Sequence, residues 1–255
     1  MFQKLLSLPV NKSVHGKEVD DFIIYIHWLM GFLFVIWMAY FLYVLWRFRA
    51  TRHPKADHTG ARTHASTYLE GFVAVIEGVL LLVFAVPLWA KIVDKAPRDP
   101  NTNKVRVMAQ QFRWNFMYPG PDKVFGKQDL EFVTVDNKFG QVLDDSNGQD
   151  DFFTLNDLRV PAGEPTIFQI SSLDVIHSFK VIALRVCQDA IPGISVPTWC
   201  VPLQEGRYQI NCAQLCGSGH SNMTEGFLTV QSPEKFQAWI AEKAETNTGD
   251  IGGFE

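Results

Sequence analysis

Two long apolar runs near the start of the chain limit what it can fold into more than any other feature. Residues 22–46, FIIYIHWLMGFLFVIWMAYFLYVLW, carry no formal charge. As a helix this run is about 37 Å long, enough to cross a bilayer with some tilt. A second run, residues 68–90, is similar in length. A buried core helix is the alternative, but each run exceeds the roughly 18 residues that mark a spanning candidate. Tyr25, Trp28, Trp46 and Trp89 fit interfacial aromatic belts. Mean hydropathy over the chain is only +0.01, so an oily first part is balanced by a polar remainder.

The segment between the runs carries Arg47, Arg49, Arg52, Lys55 and Arg62 against the single acid Asp57. The positive-inside rule puts this loop in the cytoplasm and both termini on the outer side. Residues 1–21 are mostly polar and have neither a short apolar core nor a small-residue cleavage site, so no cleaved signal peptide is expected. The organisation read from the sequence is an outer segment 1–21, a helical hairpin 22–94, a β domain 95–240 and a flexible glycine-rich tail 241–255. In the β domain, KVRVMAQQFRWNFMYP, LEFVTV, FTLNDLRVP, TIFQISS, HSFKVIAL, GRYQINC and GFLTVQ read as strands bounded by Gly, Pro, Asn and Asp. Ser232, Pro233 and Glu234 are start signals for a short closing helix.

The chemistry is concentrated in NCAQLCGSGHSNM, residues 211–223. Thiolate, imidazole and thioether are ligands that suit copper, and Cys212, Cys216, His220 and Met223 supply all three. A disulfide between the two cysteines, or a pair of buried thiols, is the plainer alternative. His177 opens a strand in SSLDVIHSFKV, and a sandwich can bring a strand start beside a later loop. By itself that histidine is as readily a core residue as a ligand. Blue copper centres use two histidines, one cysteine and a weak axial methionine. Two cysteines with three residues between them can each bridge the same two metals, with one histidine left for each, which argues for a binuclear centre.

DVIHSF (174–179), DAIPG (189–193), EGRYQINCAQLCGSGHSNM (205–223), the aromatic run QQFRWNFMYP (110–119) and the two preceding spans resemble subunit II of the haem-copper cytochrome c oxidases. The resemblance implies two N-terminal transmembrane helices followed by an all-β, cupredoxin-like Greek-key sandwich outside a bacterial inner membrane. It also implies a dicopper centre of the type called CuA, bridged by Cys212 and Cys216. His177 and His220 would be terminal ligands, and Met223 and the main-chain carbonyl of Gln214 weak ones. The function implied is acceptance of electrons from cytochrome c and their transfer to haem in subunit I, where oxygen is reduced to water and protons are pumped. Expected partners are subunit I with its haems, other oxidase subunits, a cytochrome donor and membrane lipid; no nucleic acid is expected.

Several positions depart from the family pattern. The exposed tryptophan relay is replaced by Phe112, followed by Arg113 and then Trp114, so another ring takes part in electron acceptance or Trp114 is simply a core aromatic. Gln214 stands where glutamate usually binds magnesium at the contact with subunit I, which puts that magnesium in doubt. Glu70 lies where the family feeds a proton path, and Glu77, seven residues on, shares its helix face. His27 in the first span reads as structural. Cys187 and Cys200 bracket a loop that a disulfide could close, the alternative being two free thiols. Asp144, Asp145, Asp150 and Asp151 form an acidic cluster that could attract a basic cytochrome or only be a solvated loop.

A quinol oxidase subunit would share the fold and lack the copper ligands. A nitrous oxide reductase would join a dicopper domain to a large soluble one, and a copper carrier would need to release its metal. No CxxCH is present, so no cytochrome c is fused to the chain.

Overall fold

The computed structural model describes residues 6–55, 58–60 and 63–247, and at Asn247 the backbone only. Asp57 and Arg62 of the basic loop and residues 248–255 lie outside the described residues, while 241–247 of the expected tail are helical. The chain divides into two compact units: one of residues 1–8 and 18–91, the other of 9–17 and 92–255.

Two helices make up most of the first unit: α1 runs over Gly16–Arg47 and α2 over Ala65–Asp94. None of the most apolar window of either helix is buried, with mean hydropathies of 2.1 and 2.4. A core helix of a soluble protein would be covered, so the buried-helix alternative fails. Within α2 the residues Leu80–Ala85 form a π-helical stretch just ahead of Pro87. Proline removes one N–H and its ring crowds the preceding turn. A wider i→i+5 register, here Val86 N–H to Leu81 O, lets the helix continue through it. In α1 the His27 ring donates from Nδ1 to Ile23 O at 2.8 Å, a local bond that supports its structural reading.

Among the described residues the second unit is built from eleven strands. They are β1 Asn103–Gln110, β2 Arg113–Tyr118, β3 Phe152–Leu155, β4 Asp157–Pro161, β5 Thr166–Ser172, β6 His177–Val181, β7 Val186–Ala190, β8 Val196–Cys200, β9 Gly206–Gln209, β10 Asn211–Cys212 and β11 Phe227–Gln231. Helix α3, Pro233–Asn247, closes the unit, with Ser232 Oγ accepting from Lys235 N at 3.4 Å as the start signals predict. The sheets have the orders β3-β2-β1-β5-β8, β10-β6-β7 and β4-β11-β9. The pairs β1/β5 and β4/β11 are parallel and the rest antiparallel.

The inward residues merge into one core containing Trp114, Phe116, Tyr118, Phe152, Phe168 and Phe179. Strand β1 alternates buried and half-buried as a one-sided strand should. Strand β2 is buried on both faces from Trp114 onward. Its second face is covered from the 120–151 segment, where Gln128 Nε2 lies 3.6 Å from Met117 Sδ.

Several expectations change. LEFVTV is not a strand: Asp129 caps a 3-10 turn at Leu130–Phe132, its carboxylate accepting from Glu131 N at 3.0 Å. FTLNDLRVP is two strands in different sheets, because Asn156 takes a left-handed conformation (φ 55°) between β3 and β4. Asn156 holds that corner by bonding Trp114 through both its backbone N–H and its side-chain oxygen, at 2.8 and 2.9 Å. The loop read around Cys187 and Cys200 contains two edge strands, β7 and β8, with Pro197 tolerated on the outermost strand of its sheet. No disulfide joins them: Cys187 is exposed on β7, Cys200 is buried on β8 in another sheet, and both thiols are free.

Residues 9–17 belong with the β unit rather than forming a separate outer segment with the rest of 1–21. Lys12 N–H bonds Ala183 O at 2.8 Å, and the buried Ser13 hydroxyl donates to Leu184 O at 2.7 Å. The acidic cluster is also structural in part. Asp151 is 1% exposed and accepts from Gly126 N at 3.0 Å, and Asp145 accepts from Lys127 N at 2.7 Å. These carboxylates tie down the loop that covers β2, so the four do not form a common exposed face.

Burial pushes the Asp151 carboxyl up to about 7, further than the Gly126 N–H and the Arg106 charge pull it down. From its ordinary value up to about 7 the folded chain holds a proton that the unfolded chain releases. That stabilisation is complete below the ordinary value and is lost as pH rises, at a rate of up to about 1.4 kcal/mol per pH unit. Asp151→Asn should flatten the fall in melting temperature between about pH 5 and pH 8 and exceed the wild type at pH 8. Thermal unfolding of the detergent-purified chain at both pH values checks this; an unchanged slope refutes it.

Candidate metal centre

Strand β10 is only two residues long, yet it sets the geometry of the centre. Cys212 pairs with Phe179 of β6, and Ala213 N–H bonds Ser178 O at 3.0 Å. The first residue of β6, His177, is thereby drawn to the start of the cysteine loop. Its Nδ1 lies 3.9 Å from Cys212 Sγ. Ligand atoms of His177, Cys212 and Cys216 all lie within 4.8 Å of one another, and all three residues are buried. The two sulfurs are 4.0 Å apart, and His220 Nδ1 is 3.4 Å from Cys216 Sγ. Each thiol therefore has its own imidazole. The Gln214 carbonyl is turned inward, 3.0 Å from Cys212 Sγ. Met223 is fully buried on the 3-10 turn His220–Glu225 that also carries His220.

The next layer of contacts orients these donors. His177 Nε2 donates to Asp174 Oδ1 at 2.9 Å, which leaves the Nδ1 lone pair free to face the thiols. Asp174 also accepts from Gln111 N at 2.7 Å, and the Gln111 side chain donates to Cys216 O at 2.7 Å. One carboxylate and one amide thus connect the histidine to the cysteine loop. Asp174 is a residue the sequence reading passed over, and its position three before His177 was the available signal. Burial disfavours charge on Cys212, but contacts with His177 and with the backbone at Ser178 and Gln214 outweigh it and bring the thiol down to about 7. At Cys216 burial and the neighbouring Cys212 charge act together and push the thiol up to about 11. Two thiolates this close repel each other, and a cation shared between them removes that repulsion. Sulfur and imidazole donors of this kind select soft or borderline metals, copper among them.

The aromatic positions separate in space. Trp114 is fully buried, edge-on to Phe179 with ring centroids 5.5 Å apart and 6.3 Å from the His177 ring. Its indole N–H donates to Met223 O at 3.0 Å, so it packs beneath the site as a core residue. Phe112 is half-buried and covers the cysteine loop: a Cβ on Gly219 would come within 2.3 Å of its ring, and one on Gly217 within 3.1 Å. Glu70 and Glu77 both lie in the regular α-helical part of α2, within the other unit, and form no part of this cluster.

Buried paired thiols flanked by two imidazoles, held by a β-sandwich that follows two long apolar helices, define a metal-binding β domain carried by a membrane protein. Residues 103–230 match the family described as cytochrome c oxidase subunit II, periplasmic domain. The alternative cytochrome c oxidase subunit 2 of Bradyrhizobium diazoefficiens is 31% identical over 229 residues, covering 88% of this chain and 80% of that protein. The probable cytochrome c oxidase subunit 2 of Rickettsia felis is 30% identical over 229 residues, covering 88% of this chain and 64%, just under two thirds, of its own length. Among solved structures, the periplasmic domain of subunit II of cytochrome oxidase from Bradyrhizobium japonicum is similar over 61% of this chain and 99% of its own, at 22% identity and a TM-score of 0.44.

The chain belongs to the cytochrome c oxidase subunit II family. The expected fold class stands: two long apolar helices followed by a cupredoxin-like β domain, in a membrane protein with an extracytoplasmic domain.

Proposed function

We propose that this chain is the electron-accepting subunit of a respiratory oxidase and holds a binuclear copper centre. In this reading Cys212, Cys216, His177 and His220 would hold the two coppers, with Met223 and the Gln214 carbonyl as weaker donors. The observation that carries it is the distribution of donors. The thiols are 4.0 Å apart, and the imidazoles lie on opposite members of the pair, 3.9 Å from Cys212 and 3.4 Å from Cys216. A mononuclear site needs only one thiol, whereas this arrangement offers a matching set to each of two metals.

The copper pair, when bound, supplies a one-electron acceptor whose charge is shared between two metals and two sulfurs. The protein's part is to hold the donors still. His177 is fixed by Asp174, Cys216 by Gln111, and the Met223 backbone by the Trp114 indole. Such fixed positions keep the geometry alike in both oxidation states. Phe112 lies over the cysteine loop at the surface and is the ring through which a cytochrome donor's electron arrives. The electron leaves for haem in subunit I, where oxygen is reduced to water with proton pumping. The two spans anchor the chain in a bacterial inner membrane with both termini and the copper domain outside, among lipid and the other oxidase subunits.

Loading the detergent-purified chain with copper should give two coppers per chain. The electron paramagnetic resonance spectrum should show more hyperfine structure than the four lines of a single copper nucleus. Cys212→Ser or Cys216→Ser should abolish it, since each thiolate serves both metals. One copper per chain with a four-line spectrum would sink the binuclear reading.

Gln214 separates two roles that a glutamate would combine. Any residue supplies a backbone carbonyl, but a neutral amide is a poorer ligand than a carboxylate for a hard cation. The magnesium site at the subunit I contact is therefore weak or absent in this oxidase. In the assembled complex with manganese in place of magnesium, Gln214→Glu should strengthen manganese binding and leave the copper spectrum nearly unchanged. A disturbed copper spectrum would mean that the amide itself acts at the copper.

Glu70 starts a proton path into subunit I, a reading supported by its place on the spanning helix and the rarity of carboxylates there without function. In the assembled oxidase, Glu70→Gln should slow oxygen consumption while reduction of the copper centre by cytochrome c keeps its rate. Unaltered turnover would reduce Glu70 to a structural carboxylate.

A further inference from the structure

Helix α1 does not pass straight from its apolar stretch into open chain. Phe48 N–H still bonds Val44 O at 2.9 Å, and beyond it the N–H groups of Arg52 and His53 both bond Arg49 O, at 2.9 and 3.1 Å. This turn folds the chain back on the helix end. The Arg52 guanidinium carbon lies 3.9 Å from the centroid of the Trp46 ring, and the His53 ring packs on Phe48 with centroids 5.4 Å apart. A guanidinium stacked on an aromatic face keeps its fork of N–H donors available. Arg52 comes well after Trp46 in the chain, yet its charge is held beside the last turn of α1. Interfacial tryptophans sit at the level of the lipid headgroups, so the stacked fork sits there too.

The surroundings of that fork are cationic on one side and apolar on the other. Arg47, Arg49, Arg52 and Lys55 fall within residues 47–55, and no Asp or Glu occurs from Phe22 to Ala56. Arg49, Arg52 and Lys55 are exposed, and among the described residues none of the three has an ion-pair partner. Leu42, Leu45 and Trp46 share one helix face, at 56%, 54% and 50% exposure. Basic clusters that directly follow a spanning helix attract anionic lipid. A free phosphate could use only the cations, whereas a phospholipid uses the adjoining apolar strip as well.

We propose that the end of α1 is a binding site for an anionic phospholipid. The Arg52 fork, set in place by Trp46, holds the phosphate through paired hydrogen bonds. The charges of Arg49 and Lys55 add attraction, and the acyl chains lie along Leu42, Leu45 and Trp46. The site requires only that α1 spans a membrane and is independent of the copper reading.

The test uses the full chain in nanodiscs of equal parts phosphatidylcholine and phosphatidylglycerol. After exchange into mild detergent, native mass spectrometry counts the lipids that stay bound. The wild type should retain phosphatidylglycerol in preference to phosphatidylcholine. Arg52→Gln should lower that preference about fivefold, the usual worth of one basic residue at an anionic surface. Trp46→Leu keeps every charge and an apolar side chain but removes the platform, and should lower the preference about two- to threefold. Arg52→Lys, a point charge without the planar fork, should do the same. Each single change leaves most of the basic residues of the loop in place, so the topology of the hairpin is kept. Equal retention of the two lipids by the wild type, or an unchanged preference in Arg52→Gln, overturns the proposal. So does a loss in Arg52→Gln with none in Trp46→Leu and Arg52→Lys, which would mark diffuse attraction by charge alone. Displacement of the retained phosphatidylglycerol by inorganic phosphate would mark a site for free phosphate and overturn it as well.

Discussion

The pairing of β10 with β6 is the contact on which the rest of the centre depends. Two residues of strand bring Cys212 opposite Phe179 and set the first residue of β6, His177, beside the sulfur. Nothing local to the cysteine loop could do this, since 35 positions separate His177 from Cys212. The register is held from below by the core. Phe179 packs edge-on to Trp114, and Trp114 in turn bonds the backbone of Met223. A slip of one residue would turn Phe179 outward and send the cysteine away from the histidine, because strand side chains alternate between faces. Packing energy and ligand geometry are therefore secured by the same few aromatic residues.

The layer outside the donors is equally economical. Asp174 receives the His177 Nε2 proton and the Gln111 N–H, and the Gln111 side chain reaches the Cys216 carbonyl. A histidine from β6, the turn between β1 and β2 and the cysteine loop are thus locked by three hydrogen bonds. Fixed donors of this kind favour one geometry for whatever metal the site holds. The same turn packs the Phe112 ring over Gly217 and Gly219 of the cysteine loop.

The 120–151 segment shows how a sheet can be buried on both sides by loop rather than by a second sheet. Strand β2 would otherwise expose Asn115 and Met117, yet both are covered, at 6% and 0% exposure. Carboxylates do much of the fastening, through bonds to backbone N–H groups at Gly126 and Lys127. A charge run in a sequence does not announce whether its carboxylates point to solvent or back at the chain, and here the two uses are mixed.

Local chemistry was sufficient for much of this protein. The two apolar runs, the start of the closing helix and the cluster of candidate donors Cys212, Cys216, His220 and Met223 were all visible, because each is a short-range pattern in the sequence. His177 was visible as a candidate with no decided role, and the resemblance gave it one and added the Gln214 carbonyl; both lie near Cys212 Sγ, at 3.9 and 3.0 Å. Three things were decided only by tertiary structure. Asn156 splits one apparent strand between two sheets because its bonds to Trp114 make a corner there. Strands β7 and β8 form from a loop-like sequence because neighbouring strands offer them partners. Cys187 and Cys200 remain thiols because that pairing sends one to the surface and the other to the core. A sequence records which groups are available and how they repeat; which of them meet across the sandwich follows from strand register and shared burial, and those exist only once the chain has closed on itself.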